Sequence, residues 1–246
     1  MASFKAQIGE STVFGEYCVI ADDVIIGKNC VIGSHVVIHS GTQIGNNVRI
    51  DDFVCIGKLP MKAANSAVTK DQLLSPANIG DGSIIGTNAV IYRGCILSQN
   101  CLVADLATVR ENVTIGEKTI VGRGVCVENQ CTIGSFCKIE TNAYICAYSE
   151  ISDYCFIAPC VVTSNDNFAG RTNNRFNHFS GLRLRKGGRI GAGAVILPGK
   201  EIAKDGFVAA GSVVTKDVPS GIIVAGNPAK KMKPVPEEQL LVEQGK

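Results

Sequence analysis

The 246 residues carry 24 Lys and Arg against 22 Asp and Glu, a formal net charge of +2, and that balance excludes a general electrostatic affinity for nucleic acid or membrane. Hydrophobic residues make up 46% of the chain but aromatics only 6%, with no Trp, which implies a narrow core of Ile, Val and small side chains. Met1 to Gly9 has no apolar core behind a basic start, and no stretch approaches ~18 consecutive apolar residues, so a soluble cytoplasmic protein is expected.

From the N-terminus, a large apolar residue recurs at every sixth position: Ile8, Phe14, Ile20, Ile26, Ile32, Ile38, Ile44, Ile50 and Ile56. This period matches neither a helix nor a half-buried strand, and it points to a repeat architecture. Hexapeptide repeats of this kind build an all-β fold, a parallel β-helix. Three hexapeptides close one triangular coil, so equivalent residues of successive coils stack at the strand spacing of about 4.8 Å. Runs such as Gly27-Lys28-Asn29 and Gly45-Asn46-Asn47 supply the turns.

Residues 58–77 (KLPMKAANSAVTKDQLLSPA) have no period and contain two prolines. Ile79 arrives late against the count from Ile56, and taking out the delay restores the phase. The stretch therefore reads as a loop inserted at a corner, after which the coil resumes where it stopped. The period then runs unbroken from Ile79 to Ile157, followed by Thr163. A second excursion is expected over residues 165–188, polar and basic, with Phe168, Phe176 and Phe179 as anchors. Repeats return at Ile190, Ile196, Ile202, Val208 and Val214. Residues 222–246 form a C-terminal extension whose last stretch, PEEQLLVEQGK, reads as a short acidic helix. The whole is one domain, 1–246.

The position after each aliphatic residue is ordinarily small, and departures from that rule are candidates for function. One corner column reads Gly80, Ser98, Gly116, Gly134, Ser152. The next reads Gly86, Ala104, Gly122, Glu140, Ala158, where only Glu140 departs. The third reads Tyr92, Arg110, Glu128, Cys146, Ser164 and continues back to Gly57 and His39, with Asn165 and Asp166 following at its upper end. Large polar groups along one edge suggest a groove for a ligand or a neighbouring subunit. Asp105 lies around the preceding corner, where it can reach that groove only from a second subunit.

The histidines are His35, His39 and His178. His35 and His39 lack a third partner for zinc, so no metal site is expected. His178, in the second excursion, can reach a neighbour's groove. Of the eleven cysteines, Cys18, Cys30, Cys95, Cys101, Cys131, Cys137 and Cys155 all fall four residues after an aliphatic position, as small inward side chains. Cys146 and Cys160 break that pattern and are expected near the surface.

The hexapeptide repeat, the excursion after Asn165-Asp166-Asn167, the run AAGSVVTKDVP from Ala209 to Pro219 and the ending AGNPAKKM from Ala225 to Met232 resemble the left-handed β-helix acyltransferases that use acyl-coenzyme A. The paired excursions look most like the bacterial N-acyltransferases acting on nucleotide-linked (dTDP or UDP) amino-deoxy sugars. The resemblance implies left-handedness, a homotrimer with active sites between subunits, and coenzyme A along the later coils. It implies Arg183, Arg185, Lys186, Arg189, Lys230 and Lys231 as partners of the coenzyme's phosphates. Ala209, Ala210 and Gly211 would be the close backbone approach for its pantetheine arm.

Acyl transfer to an amine needs a proton acceptor and donors for the oxyanion. Asp105 and Glu128 are the expected catalytic carboxylates. Tyr92, Arg110, Glu140, Asn165, Asp166 and His178 are the expected substrate contacts. Several members of the family resembled use a histidine base in the central coils, whereas here no histidine lies between His39 and His178. The competing readings are an O-acetyltransferase of a small hydroxyl acceptor, a non-catalytic solenoid, and a zinc-dependent hydratase, for which the three histidines do not supply the ligands.

Overall fold

A computed structural model describes residues 5–69 and 71–245. The signal-segment reading of Met1 to Gly9 falls in part on residues 1–4, which lie outside the described residues, as do Lys70 of the first excursion and Lys246 of the tail. The chain winds as a parallel β-solenoid whose short strands stack into three sheets of ten, twelve and ten strands. The register advances by three hexapeptides per coil, as in Val90 opposite Thr108 and Ile115 opposite Ile133.

Through the central coils the second residue of each strand is the inward one, and it is aliphatic from Ile79 to Ile157. Ile79, Ile85, Ile91, Leu97, Val103, Val109, Ile115, Val121, Val127, Ile133, Ile139, Ile145, Ile151 and Ile157 are all at most 2% exposed. Each fully buried aliphatic contributes about 1.5–3 kcal/mol by leaving water, and this repeated burial holds a helix whose backbone bonds run from coil to coil. Ile8, in the first described coil, is 40% exposed. Three residues after the aliphatic position the backbone takes a positive φ, at Asn29 (56°), Asn47 (56°) and Asn100 (57°), a conformation Asn tolerates better than most residues.

The first excursion leaves the third sheet after the strand Cys55–Lys58 and returns at Asn78–Ile79. Ile44 pairs with Ile26 on one side, one uninterrupted coil away, and with Ile79 on the other. The excursion thus sits wholly between two adjacent coils and leaves their phase intact, as expected. Tyr92 faces Lys58 across a register shift. The second excursion is shorter than expected. The repeat has already resumed at Arg183–Leu184, paired with Glu150 and Ile151, because Leu182 and Leu184 enter the core fully buried while Arg183 and Arg185 stay outside. Arg183, Arg185 and Lys186 therefore belong to a coil, not to the loop.

The tail also differs from the expectation of a short helix. Ile222–Ala225 extends the second sheet and pairs antiparallel with Lys230–Pro234. The acidic stretch beyond it forms two 3-10 turns, Glu237–Gln239 and Val242–Gln244, too short for the intrahelical bonding an α-helix needs. All seven cysteines assigned to the core are buried. Cys160 is exposed as expected, but Cys146 is 1% exposed. Its N–H donates to Thr163 Oγ1 at 2.8 Å and its thiol lies 3.5 Å from Ser149 Oγ, inside a corner covered by the second excursion.

Candidate active-site edge

Both excursions leave the solenoid at the same edge, the one following the third sheet. Coil stacking lines up Tyr92, Arg110, Glu128, Cys146 and Ser164 there, one per coil. The first excursion folds over the coils that carry Arg93, Arg110 and Asn129. Leu74 O accepts Arg93 Nε at 3.0 Å, Thr69 Oγ1 accepts Arg110 at 3.0 Å, and Val68 O accepts Asn129 Nδ2 at 3.2 Å.

Arg110 is the hub of this edge. Its guanidinium grips Glu111 with two bonds of 2.8 and 3.1 Å, reaches Glu128 at 3.3 Å, and lies over the Tyr92 ring at 5.1 Å. Lys58 sits over the same ring at 5.4 Å. Glu111 is 1% exposed, so Arg110 is the charge that makes its burial tolerable. Burial works against the Arg110 charge, but the hydrogen bonds and charge of Glu111 prevail and hold its guanidinium above the usual range. Burial pushes the Glu128 carboxyl up; Arg110 opposes this, Glu111 reinforces it, and a hydrogen bond with Tyr144 opposes it. The Tyr144 hydroxyl is pushed up to about 12, first by burial and then by Glu128, so it stays a donor at neutral pH. Asn129, 1% exposed, keeps its Oδ1 without a partner.

Tyr144, Glu111, Asn129, Thr69 and Lys58 were not among the sequence candidates. Tyr144 could have been found in the column of outward residues Thr108, Cys126, Tyr144 and Val162 beside Glu128. Glu111 and Asn129 could have been found one position further along the corner already under suspicion. Thr69 lies in an aperiodic loop, where sequence spacing gives no guide to contacts.

The other candidates are dispersed. Asp105 is exposed on the edge between the second and third sheets, where its carboxylate accepts the Thr87 N–H at 3.0 Å. Asp81, Asp52 and Asp153 make the same coil-to-coil turn bond at 2.7, 2.6 and 2.8 Å. Glu140 occupies that second edge too, so within one chain neither it nor Asp105 joins Glu128. Asp166 lies above the third edge but turns into its own loop, accepting the N–H groups of Phe168 at 2.8 Å and Gly170 at 3.0 Å, with Arg175 at 3.5 Å. Burial acts to raise its carboxyl, but these two N–H bonds and Arg175 hold it below the usual range. Asn165 closes the loop, its carbonyl accepting the Ser180 N–H at 3.1 Å. His178 is exposed and packs on Phe168 with centroids 5.6 Å apart, while Phe179 lies over Tyr148 at 6.5 Å.

The cations assigned to coenzyme phosphates fall in three places. Arg183 and Arg185 share Glu201 on the first sheet, at 3.3 and 2.7 Å, and Lys186 lies over Tyr154. Arg189 is on the second sheet beneath the tail. Lys230 and Lys231 line a groove of about 360 Å³ with Lys216, Thr215 and Pro228 at the C-terminal end. Ala209, Ala210 and Gly211 form a corner of the second edge, and at Gly211 φ is +68° with open space where a Cβ would stand. Among the described residues no group of three or more His, Cys, Asp or Glu is placed to hold a metal, and no helix is long and apolar enough to cross a membrane.

Two family models match the chain: bacterial transferase hexapeptide (six repeats) over residues 5–40, and hexapeptide repeat of succinyl-transferase over residues 76–104. Both matched stretches lie in the coils of the parallel β-solenoid. The 2,3,4,5-tetrahydropyridine-2,6-dicarboxylate N-acetyltransferase of Clostridium perfringens is 61% identical over 49 residues, 20% of this chain and 21% of that protein. The enzyme of the same name from Staphylococcus aureus is 56% identical over 50 residues, with the same coverage. The match thus spans about a fifth of the length of these curated relatives. Among solved structures, the UDP-N-acetylglucosamine acyltransferase of Campylobacter jejuni is 17% identical with a TM-score of 0.48, covering 95% of this chain and 72% of that one. A hexapeptide-repeat acetyltransferase from Vibrio cholerae complexed with acetyl coenzyme A is 25% identical with a TM-score of 0.45, covering 50% and 71%.

Proposed function

We propose that this chain is an acyl-coenzyme A-dependent N-acyltransferase whose acceptor is the amine of a nucleotide-linked amino-deoxy sugar, working as a homotrimer. The observation that carries the reading is the half-buried Glu128 carboxyl, held by Arg110 and Tyr144 at the edge from which both excursions leave. The hexapeptide models and the N-acetyltransferases matched in part support acyl transfer to nitrogen, and the resemblance of the paired excursions supports the sugar.

In the reaction the acceptor amine attacks the thioester carbonyl, a C–N bond forms and the C–S bond breaks. Glu128 takes the ammonium proton, and its raised carboxyl makes it a better base than an exposed glutamate. The coenzyme leaves as its thiolate and is reprotonated. Tyr144, protonated at neutral pH, is the side-chain donor beside the developing oxyanion. Asp105 is supplied by a neighbouring subunit and orients the amine. Asn165 and His178 face the sugar from the second excursion, whose shape Asp166 holds through Phe168 and Gly170, Tyr92 and Arg110 support the nucleotide end through the first, and Glu140 lies toward a neighbour.

The test is thiol release from acetyl-coenzyme A with a panel of dTDP- and UDP-linked 3-amino and 4-amino sugars. The panel also includes an acyclic amino dicarboxylate, because the curated relatives act on a dicarboxylate substrate by name. Release with a nucleotide sugar supports the reading. Release with the dicarboxylate alone replaces the acceptor and keeps the chemistry. No release with any acceptor, together with no coenzyme A binding by calorimetry, removes the acyltransferase reading.

A further inference from the structure

The later coils of the second sheet carry a stripe of outward side chains, Lys138, Phe156, Arg189 and Phe207, one per coil. The C-terminal tail crosses it. Together they enclose a cavity of about 200 Å³ lined by Lys138, Tyr154, Phe156, Arg189, Asp205, Gln239, Leu241 and Gln244 among others. Arg189 stacks on Phe207 at 4.7 Å and donates from one terminal nitrogen to Gln239 Oε1 at 2.9 Å. Its other terminal nitrogen is buried with no hydrogen-bond partner. A buried cationic donor left unpaired is strongly disfavoured, so a structure that keeps one calls for an acceptor.

The charges around the cavity indicate what that acceptor is. Lys138 forms no ion pair among the described residues, and Lys186 lies over the ring of Tyr154 in the cavity wall. The one carboxylate in the lining, Asp205, accepts the Leu241 N–H at 3.3 Å. Of the cations, Lys138 and Arg189 line the space with one engaged carboxylate, the space is large enough for a tetrahedral oxyanion, and Arg presents the planar fork such oxyanions match. Burial holds the Arg189 guanidinium below its usual range although the charge of Asp205 opposes it.

We infer that Arg189 and Lys138 form a binding site for a phosphate monoester beneath the C-terminal tail, with the Gln239 side chain fixing the guanidinium. Two sources share this chemistry, a free phosphate ester and the 3′-phosphate of coenzyme A. Only the second rests on the acyltransferase reading.

The experiment compares thermal unfolding of the full chain in inorganic phosphate and in chloride at equal ionic strength, for wild type, Arg189→Met and Lys138→Met. Phosphate at ~20 mM should raise the wild-type midpoint by about 2 °C or more over chloride. Arg189→Met should abolish that difference and Lys138→Met should reduce it. Arg189→Met keeps the packing on Phe207 and removes the unpaired donor, so it should fold. A phosphate response equal to chloride, or one undiminished in Arg189→Met, overturns the inference.

Calorimetry with coenzyme A and dephospho-coenzyme A then identifies the source. A loss of about tenfold or more without the 3′-phosphate, absent in Arg189→Met, assigns the coenzyme. Equal binding of the two, with the phosphate response intact, assigns a free ester. Failure to bind coenzyme A at all with the phosphate response intact removes the acyltransferase reading and leaves the anion site standing.

Discussion

Replacing Arg110 with Met removes the hub of the third edge while keeping most of its packing volume. Glu111, 1% exposed, then loses bonds of 2.8 and 3.1 Å and becomes a buried carboxylate with no countercharge. Removing one partner of a buried pair costs about 3–5 kcal/mol. With a urea slope of about 2 kcal/mol/M that is a midpoint lower by about 1.5–2.5 M. The comparison variant is Glu128→Gln, whose carboxylate is 23% exposed and 3.3 Å from Arg110 and should cost about 1 kcal/mol or less. The double variant Arg110→Met/Glu111→Gln should recover most of the loss, because no buried charge remains. The assay is urea unfolding at one fixed protein concentration, with amide exchange read at Val68 and Thr69 to see the first excursion detach. A midpoint shift below about 0.5 M for Arg110→Met, or no recovery in the double variant, would refute the reasoning.

Three further outcomes follow from the same structure. Excising residues 59–75 removes the delay of Ile79 and returns it to the sixth position after Ile56, so the far-UV spectrum and cooperative unfolding should persist while the proposed acyl transfer is lost; collapse of the fold would show the excursion to be structural. Cys160 is the exposed thiol among the eleven, so a thiol reagent should modify it first in native protein and Cys160→Ser should remove the fast phase. Cys95 and Cys131, each pushed up to about 12 by burial, should react only on unfolding. For Glu128, a folded carboxyl above its unfolded value favours folding below the unfolded pKa, and that contribution is lost as pH rises through the folded pKa. Glu128→Gln should therefore gain stability relative to wild type between pH 4 and pH 7, and a constant difference across that range would contradict the assigned burial.

The fold was legible because a period of six can be counted, and one buried aliphatic per strand leaves little room for another register. Ile79 alone, late against that count, located the first excursion. The end of the second was misread because GLRLRKGG looks basic and loop-like, although its leucines alternate inward and its arginines outward. The tail was misread as a helix because its apolar stripe packs on the second sheet by single residues, Leu241 above all, rather than along a helical face. At the site, Arg110 and Glu128 stood out by breaking the small-residue rule, which marks a corner but not what fills it. Thr69, which accepts from Arg110, and Val68, which accepts from Asn129, come from an aperiodic loop more than forty positions away, and no spacing rule reaches them. Asp105 and Asp166 broke no rule at all, since an acid near a turn is what backbone N–H groups recruit.

The claim that the third edge is where coenzyme and acceptor meet is tested most directly by an amide-exchange footprint with coenzyme A and a nucleotide amino sugar, each alone and together. The account predicts that the pair slows exchange at residues 126–129 and 144–146 and across residues 165–181, beyond the sum of the single ligands. Protection confined to another edge, or none at ligand concentrations that saturate binding by calorimetry, would contradict it.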